Sequence, residues 1–234
     1  MAPMLGGLGR IYIPDPNDKQ YPMRAALRPR ALPERRYYQT GRHLPLDQGK
    51  TGTCVAHAWT AFLYAALTMS KTAPSPFDTY REIVKIDEFE DNDGEANAPN
   101  NQLQYGTSVR AGAKVLQARG DLVSYVWSKS ADEMAAWLLS GHGTIVLGTT
   151  WYWDMGDLKD GYAYPTGGVA GGHSYLCIGY NRKVKAFRCL NSWGPEFGDN
   201  GRFWIMHHDM DKLVKEEDGE ACAATQVVIH PVAA

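Results

Sequence analysis

Apolar positions are sparse and aperiodic at the start of the chain, form helical stripes through its middle, and run together as strands towards its end. Residues 1–43, rich in Pro, Gly and Arg, predict an extended strap with turns. Ile11, Ile13, Tyr21, Leu27, Leu32, Tyr37 and Tyr38 are its candidate anchors, and Pro14, Pro16, Pro22, Pro29 and Pro33 pre-extend it. Residues 54–69 read as a helix rich in Ala, Leu, Phe and Trp, started by Gly52 and Thr53. Ser75 and Pro76 form an N-cap and first position for a second helix to about residue 87. A polar loop over 88–106 precedes a third helix, 107–119, closed by Gly120. A short strand is expected over 121–126, and Ser130 with Glu133 predicts a capping box opening a helix to residue 140. Residues 144–150 read as a strand, 151–172 as a Gly- and Tyr-rich excursion lining a cleft, and 173–180, 184–191, 201–206 and 223–230 as strands.

Candidate chemistry is concentrated at three places in this pattern. Cys54 falls in the first turn of the first helix, six residues after Gln48. His173 opens an apolar strand, and Asn191 ends the next one, before Ser192, Trp193 and Gly194. A helix N-terminus and an imidazolium partner both lower a thiol pKa, so Cys54 and His173 are expected to form a thiolate–imidazolium pair. If the strands after His173 and before Asn191 pair around the 181–183 turn, the two side chains share a face at the open end of the hairpin. The Asn191 amide oxygen would then accept the imidazole N–H, with Trp193 covering that bond. Gln48 and the Cys54 backbone N–H would supply an oxyanion site, with Gly49 and Gly52 letting the loop bend.

The segments Gln48-Gly49…Gly52-Thr53-Cys54…Ala58, Gly172-His173 before a strand ending Gly179-Tyr180, and Asn191-Ser192-Trp193-Gly194…Gly198-Asp199-Asn200-Gly201 resemble the papain family of cysteine peptidases. Tyr105 to Ala113 and Ile13-Pro14-Asp15-Pro16 are similar to that family's bacterial and phage branch. The resemblance implies an α+β, two-lobe fold: a strap over 1–43, then a peptidase domain over 44–234. That domain divides into a helical lobe of about 44–140 and a β-rich lobe of about 141–234, with the cleft between them. It implies a cysteine endopeptidase acting through an acyl-enzyme, with Cys54 as nucleophile, His173 as acid/base, Asn191 as orienter and Gln48 as oxyanion donor. Tyr105, Gly106, Gly172 and Trp193 would bind an extended protein or peptide substrate. A phage virion component of this fold, partnering virion proteins, and a cell-wall amide hydrolase are the alternatives. Two features depart from the family: Thr51 stands where a disulfide cysteine is usual, and Val55 where an aromatic residue is usual. The strap stands where other members carry an inhibitory prosegment, and part of it is expected at the cleft.

Composition narrows the remaining classes. With 234 residues, 44% of them hydrophobic, the chain has material for one domain with a sizeable core. A net charge of −2 gives no electrostatic case for nucleic acid. No stretch of eighteen apolar residues predicts a membrane span. The opening residues do not form a secretory signal, so a cytoplasmic or virion-associated protein is expected. Cys177, Cys189 and Cys222 lie in apolar company and read as core residues. No Cys-x-x-Cys occurs and no cofactor or metal site is expected. His57 reads as a packed helix residue, and His207-His208-Asp209 as a strand end followed by an N-cap at Asp209.

Overall fold

The structure is a computed structural model that describes residues 6–65, 67–70 and 73–227, leaving aside the side chains of 90–93, 226 and 227. Its elements run β1 (Arg35–Tyr37), α1 (Cys54–Tyr64), α2 (Pro76–Val84), α3 (Val109–Ala118), β2 (Leu122–Ser128), α4 (Ala131–Ser140), β3 (Ile145–Tyr152), β4 (Val169–Asn181), β5 (Ala186–Leu190), β6 (Arg202–Met206), α5 (His207–Asp211) and β7 (Glu220–Val227). The sheet is antiparallel, in the order β2-β7-β3-β4-β5-β6, and β1 adds to the far end of β4. The α+β class implied by the family resemblance is what the chain forms.

Alternation along the central strands divides the core between two faces. Ile145, Leu147, Tyr175 and Cys177 point to one face, joining residues of α4 and α5 there. Val146, Leu176, Ile178 and Cys222 point to the other, where α1, α2 and α3 pack. α1 has every residue buried except Tyr64, which makes it the central helix of its layer. Gly112 on α3 lets it pack closely: a Cβ there would stand 2.3 Å from Trp59 Cδ1, and the indole N–H donates to the Val109 carbonyl at 3.0 Å.

Several boundaries shift for local reasons. α1 stops at Tyr64, five residues short of the expected end. Ala65 turns extended, Met69 adopts φ 46°, and the Leu63 and Phe62 carbonyls are taken by the Ser70 N–H and the Thr68 hydroxyl. A bridge from Ala65 to Thr40 of the strap completes the turn. α5 begins at His207 rather than after Asp209, because the His207 ring packs against Tyr180 and meets Asp132, which draws the residue off the strand. β7 begins at Glu220, three residues before the expected start; the expected positions 228–230 lie outside the described residues. At α4, Ser130 accepts from the Glu133 N–H, but Glu133 bonds to the Ser128 hydroxyl instead of the cap backbone. Half of the expected capping box is therefore present.

Candidate active site

Cys54 is the first residue of α1, with Thr53 as its N-cap. This places its sulfur among the unsatisfied N–H groups of the first turn. The backbone N–H groups of Val55, Ser174 and Gly9 all favour its thiolate form. His173 lies in β4 opposite Thr149 of β3 and is fully buried. Its Nε2 is 2.8 Å from the Asn191 Oδ1 at the end of β5. Asn191 Oδ1 also accepts the Ser192 N–H at 2.8 Å, which fixes which end of the amide faces the ring. Nε2 must therefore donate, and in the neutral ring Nδ1 carries the lone pair. His173 Nδ1 has no hydrogen-bond partner among the described residues, so it is the nitrogen free to accept a proton.

Aromatic rings close around this pair. Trp193 tilts over the imidazole at 4.8 Å between centroids, and Trp151 meets it edge-on at 4.9 Å. Trp193 thus lies against the His173 ring that makes the bond to Asn191. Gln48 is held by Ser192, whose hydroxyl donates to Gln48 Oε1 at 2.6 Å and whose carbonyl accepts the Gln48 backbone N–H at 2.8 Å. With its oxygen fixed, Gln48 presents its NH₂ to the Thr51 carbonyl at 2.8 Å and to the Gly7 carbonyl at 3.0 Å. Ser192 is a residue whose role the sequence reading missed, although it sits inside the Asn191–Gly194 motif.

The second partner of Gln48 belongs to the strap, which runs through the cleft. Gly6 lies under Trp193, where a Cβ would stand 2.3 Å from the indole. A Cβ on Gly7 would meet the Thr51 carbonyl at 1.8 Å, and one on Gly9 the Gly52 carbonyl at 2.0 Å. The Gly9 and Arg10 N–H groups both reach the Gly172 carbonyl, at 3.1 and 3.0 Å. Thr107 donates to the Gly9 carbonyl at 2.8 Å and accepts from Ile11 N–H at 2.9 Å. The glycines at 6, 7 and 9 let a backbone lie directly on a backbone, a signal that was overlooked beside the prolines and aromatic anchors. The Gly172 carbonyl thus holds the extended strap. Thr107, rather than Tyr105 or Gly106, supplies the opposing hydrogen bonds. Tyr105 is 60% exposed, and Gly106 spends its N–H on the Tyr80 hydroxyl at 3.0 Å while its lack of a Cβ makes room for Gly9.

Under the strap neither member of the pair reaches water. Burial pushes the Cys54 thiol up to about 11, against the pull of the surrounding N–H groups and of Arg10. Burial also pushes the His173 imidazole down to about 4, against the support of Asn191. In this closed form burial opposes the charged forms of both groups. Both charged forms need the solvent that the strap excludes.

The other candidates fall outside this constellation. His57 is buried, with Nδ1 against Thr53 and its ring edge-on to Phe77, and burial pushes it down to about 4. Cys177, Cys189 and Cys222 are free and buried. Among the described residues no cluster of His, Cys, Asp and Glu has a metal-binding arrangement, and no helix is long and apolar enough to cross a membrane. A cavity of about 620 Å³ lies between strap residues Tyr12 to Arg24 and the edge formed by β2 and α4; Cys54 does not line it.

The same architecture occurs in solved structures. Xylellain, a cysteine protease from Xylella fastidiosa, superposes with a TM-score of 0.69 at 22% identity, covering 95% of this chain and 98% of that one. Procathepsin L 3 of the Tenebrio molitor larval midgut matches with a TM-score of 0.57 at 13% identity, over 83% of this chain and 70% of that one. The bromelain protease from Ananas comosus matches with a TM-score of 0.54 at 12% identity, over 83% of this chain and all (100%) of that one. The chain has the papain-like fold. No protein-family model matches the sequence, and comparison with curated proteins gives no match.

Proposed function

We propose that this chain is a cysteine endopeptidase whose active site is covered by its own N-terminal strap. The observation that carries the reading is the 2.8 Å His173–Asn191 bond, which leaves Nδ1 unpartnered in a buried site where the backbone N–H of the next residue, Ser174, favours the Cys54 thiolate. The papain-like fold supports it.

In this reading, residues from about 44 form the peptidase domain and residues 6–43 the strap. Once the strap leaves, His173 Nδ1 takes the proton of Cys54 and the thiolate attacks the substrate carbonyl. The Gln48 NH₂ and the Cys54 backbone N–H stabilise the oxyanion that forms. His173 returns the proton to the departing amine, then activates water to hydrolyse the thioester and restore the thiol. Asn191 keeps Nε2 protonated and aims Nδ1 at the sulfur. In the closed form the Gly7 carbonyl occupies the Gln48 NH₂, so the strap fills the oxyanion site as well as the substrate backbone positions.

Gln48→Ala should lower kcat by about 10²–10³ with little change in KM, the loss expected for one oxyanion donor. A change confined to KM would assign Gln48 to substrate binding. Asn191→Ala should reduce kcat less than His173→Ala, because an orienter is partly replaceable while the base is not; equal losses would give Asn191 a further role. The test of the function itself is casein digestion, with and without a cysteine-directed epoxide, followed by peptide mapping. Digestion abolished by label on Cys54 is the expected result. Digestion that continues with Cys54 fully labelled would refute the reading.

A further inference from the structure

The loop that carries Gln48 and the helix that carries Cys54 are joined behind the active site by a run of buried polar side chains. His57, one turn into α1, sets Nδ1 3.0 Å from the Thr53 carbonyl and 3.1 Å from the Thr53 hydroxyl. The Thr53 and Thr51 hydroxyls are 2.7 Å apart, and the Thr51 hydroxyl donates to the Gln48 carbonyl at 2.7 Å. Each proton in this run has one place to go. A carbonyl only accepts, so His57 Nδ1 must carry a hydrogen and Thr51 must spend its own on Gln48. Thr51 then accepts from Thr53, and Thr53 from His57. Burial pushes the His57 ring down to about 4, so at neutral pH it holds a single proton, and these contacts put it on Nδ1. Phe77 meets the ring edge-on at 5.2 Å, and Thr51, Thr53 and His57 are all buried.

We propose that His57 is a positioning residue for the oxyanion site, acting on Gln48 through Thr53 and Thr51. The proposal rests on the peptidase reading above and concerns that same site. Thr51 is the joint. Its hydroxyl holds the Gln48 main chain and its carbonyl accepts from the Gln48 NH₂ at 2.8 Å, so the place of Thr51 decides where that NH₂ points. His57 follows Cys54 on the same helix, and the run therefore ties the Gln48 NH₂ to the helix whose first residue supplies the other oxyanion donor. The two donors must converge on one oxygen, and a misplacement of about 1 Å costs about 10²-fold. The loop needs such a tie. Gly49 turns it at φ 59°, and all the cysteines are free, so no disulfide holds position 51. An apolar side chain at 57 would leave the Thr53 hydroxyl without its donor and free both threonine hydroxyls to turn away from Gln48.

The test compares full-length His57→Leu, His57→Asn and His57→Gln. An asparagine amide places an N–H where Nδ1 stands and donates to Thr53, whereas a glutamine amide places it where Nε2 stands. Amide hydrogen exchange is followed first. The N–H groups of Gln48, Thr51 and Gly52, bonded to Ser192, Gln48 and Leu103, should exchange about 10-fold or more faster in His57→Leu and His57→Gln. The amides of α1 beyond Thr60 should be unchanged, and His57→Asn should stay close to the wild type. No change in the loop, or an equal increase along α1, would overturn the proposal. Next, kcat and KM are measured on a peptide ester. His57→Leu and His57→Gln should lose about 10–100-fold in kcat with KM within about threefold, and His57→Asn should recover most of that loss. In a Gln48→Ala background the same substitutions should cost less than about threefold, because the group they position is gone. Unchanged kcat, an undiminished loss in that background, or His57→Asn as slow as His57→Leu refutes the proposal. Should His57→Leu not fold, His57→Asn and His57→Gln carry the same comparison. If no protein, wild type included, turns over the ester, the peptidase reading has failed, and the exchange rates still decide whether His57 orders the loop.

Discussion

Gly9→Val should expose the thiol and raise its alkylation rate at pH 7 by about 100-fold or more. A Cβ at residue 9 would stand 2.0 Å from the Gly52 carbonyl, a backbone atom with no room to move, so the strap cannot lie in the cleft. In the intact protein burial holds the Cys54 thiol at about 11, which leaves only about one molecule in 10⁴ as thiolate at pH 7. Its labelling rate should therefore climb about tenfold per pH unit from pH 7 towards 10. Readmitting water removes the desolvation, and the helix N-terminus and His173 then lower the pKa, so the variant should reach its plateau near neutrality. The linkage runs the same way. The closed form raises the thiol from its near-neutral open-form value to about 11, so docking is favoured while the thiol is protonated and weakens as pH rises from near neutrality to about 11. Identical pH profiles for the two proteins would show that the strap does not control the thiol.

Cys54→Ala placed in the Gly9→Val background should reduce turnover by about 10⁵–10⁶, the scale of losing a covalent nucleophile. The fold should survive, because alanine is the best helix former and the lost sulfur leaves a small void. A cooperative melting transition shifted by only a few degrees is the expected control. Residual turnover within tenfold of the parent would move the nucleophile elsewhere.

The reactive residues were legible because each is a distinct side chain in a fixed order. Cys54 at a helix start, His173 in one strand and Asn191 just after the next need only one antiparallel pairing to meet, and the β4–β5 hairpin supplies it, although β4 begins at Val169 and not, as expected, at His173. The α+β class was what the family resemblance of those motifs implied. What remained hidden was carried by backbone or by distant partners. Thr107 binds the strap through its N–H and C=O, which any residue but proline provides. Glu220 lies in an acidic run, and no local pattern reports that it pairs with Arg10, 210 residues away. The end of α1 depended on Thr40, outside the helix altogether. The protonation of the Cys54–His173 pair turned on solvent access, and residue types in sequence do not report how deeply a strap covers them.

The central claim is that Cys54 carries the acyl group, and trapping that intermediate tests it most directly. Gly9→Val enzyme is mixed with a peptide ester, quenched in acid within milliseconds, digested and weighed by mass spectrometry. The account predicts the acyl mass on the peptide containing Cys54 during turnover, absent when the enzyme carries Cys54→Ala. Turnover of the ester with the acyl mass on another residue, or with no acylated peptide at any quench time, would contradict it.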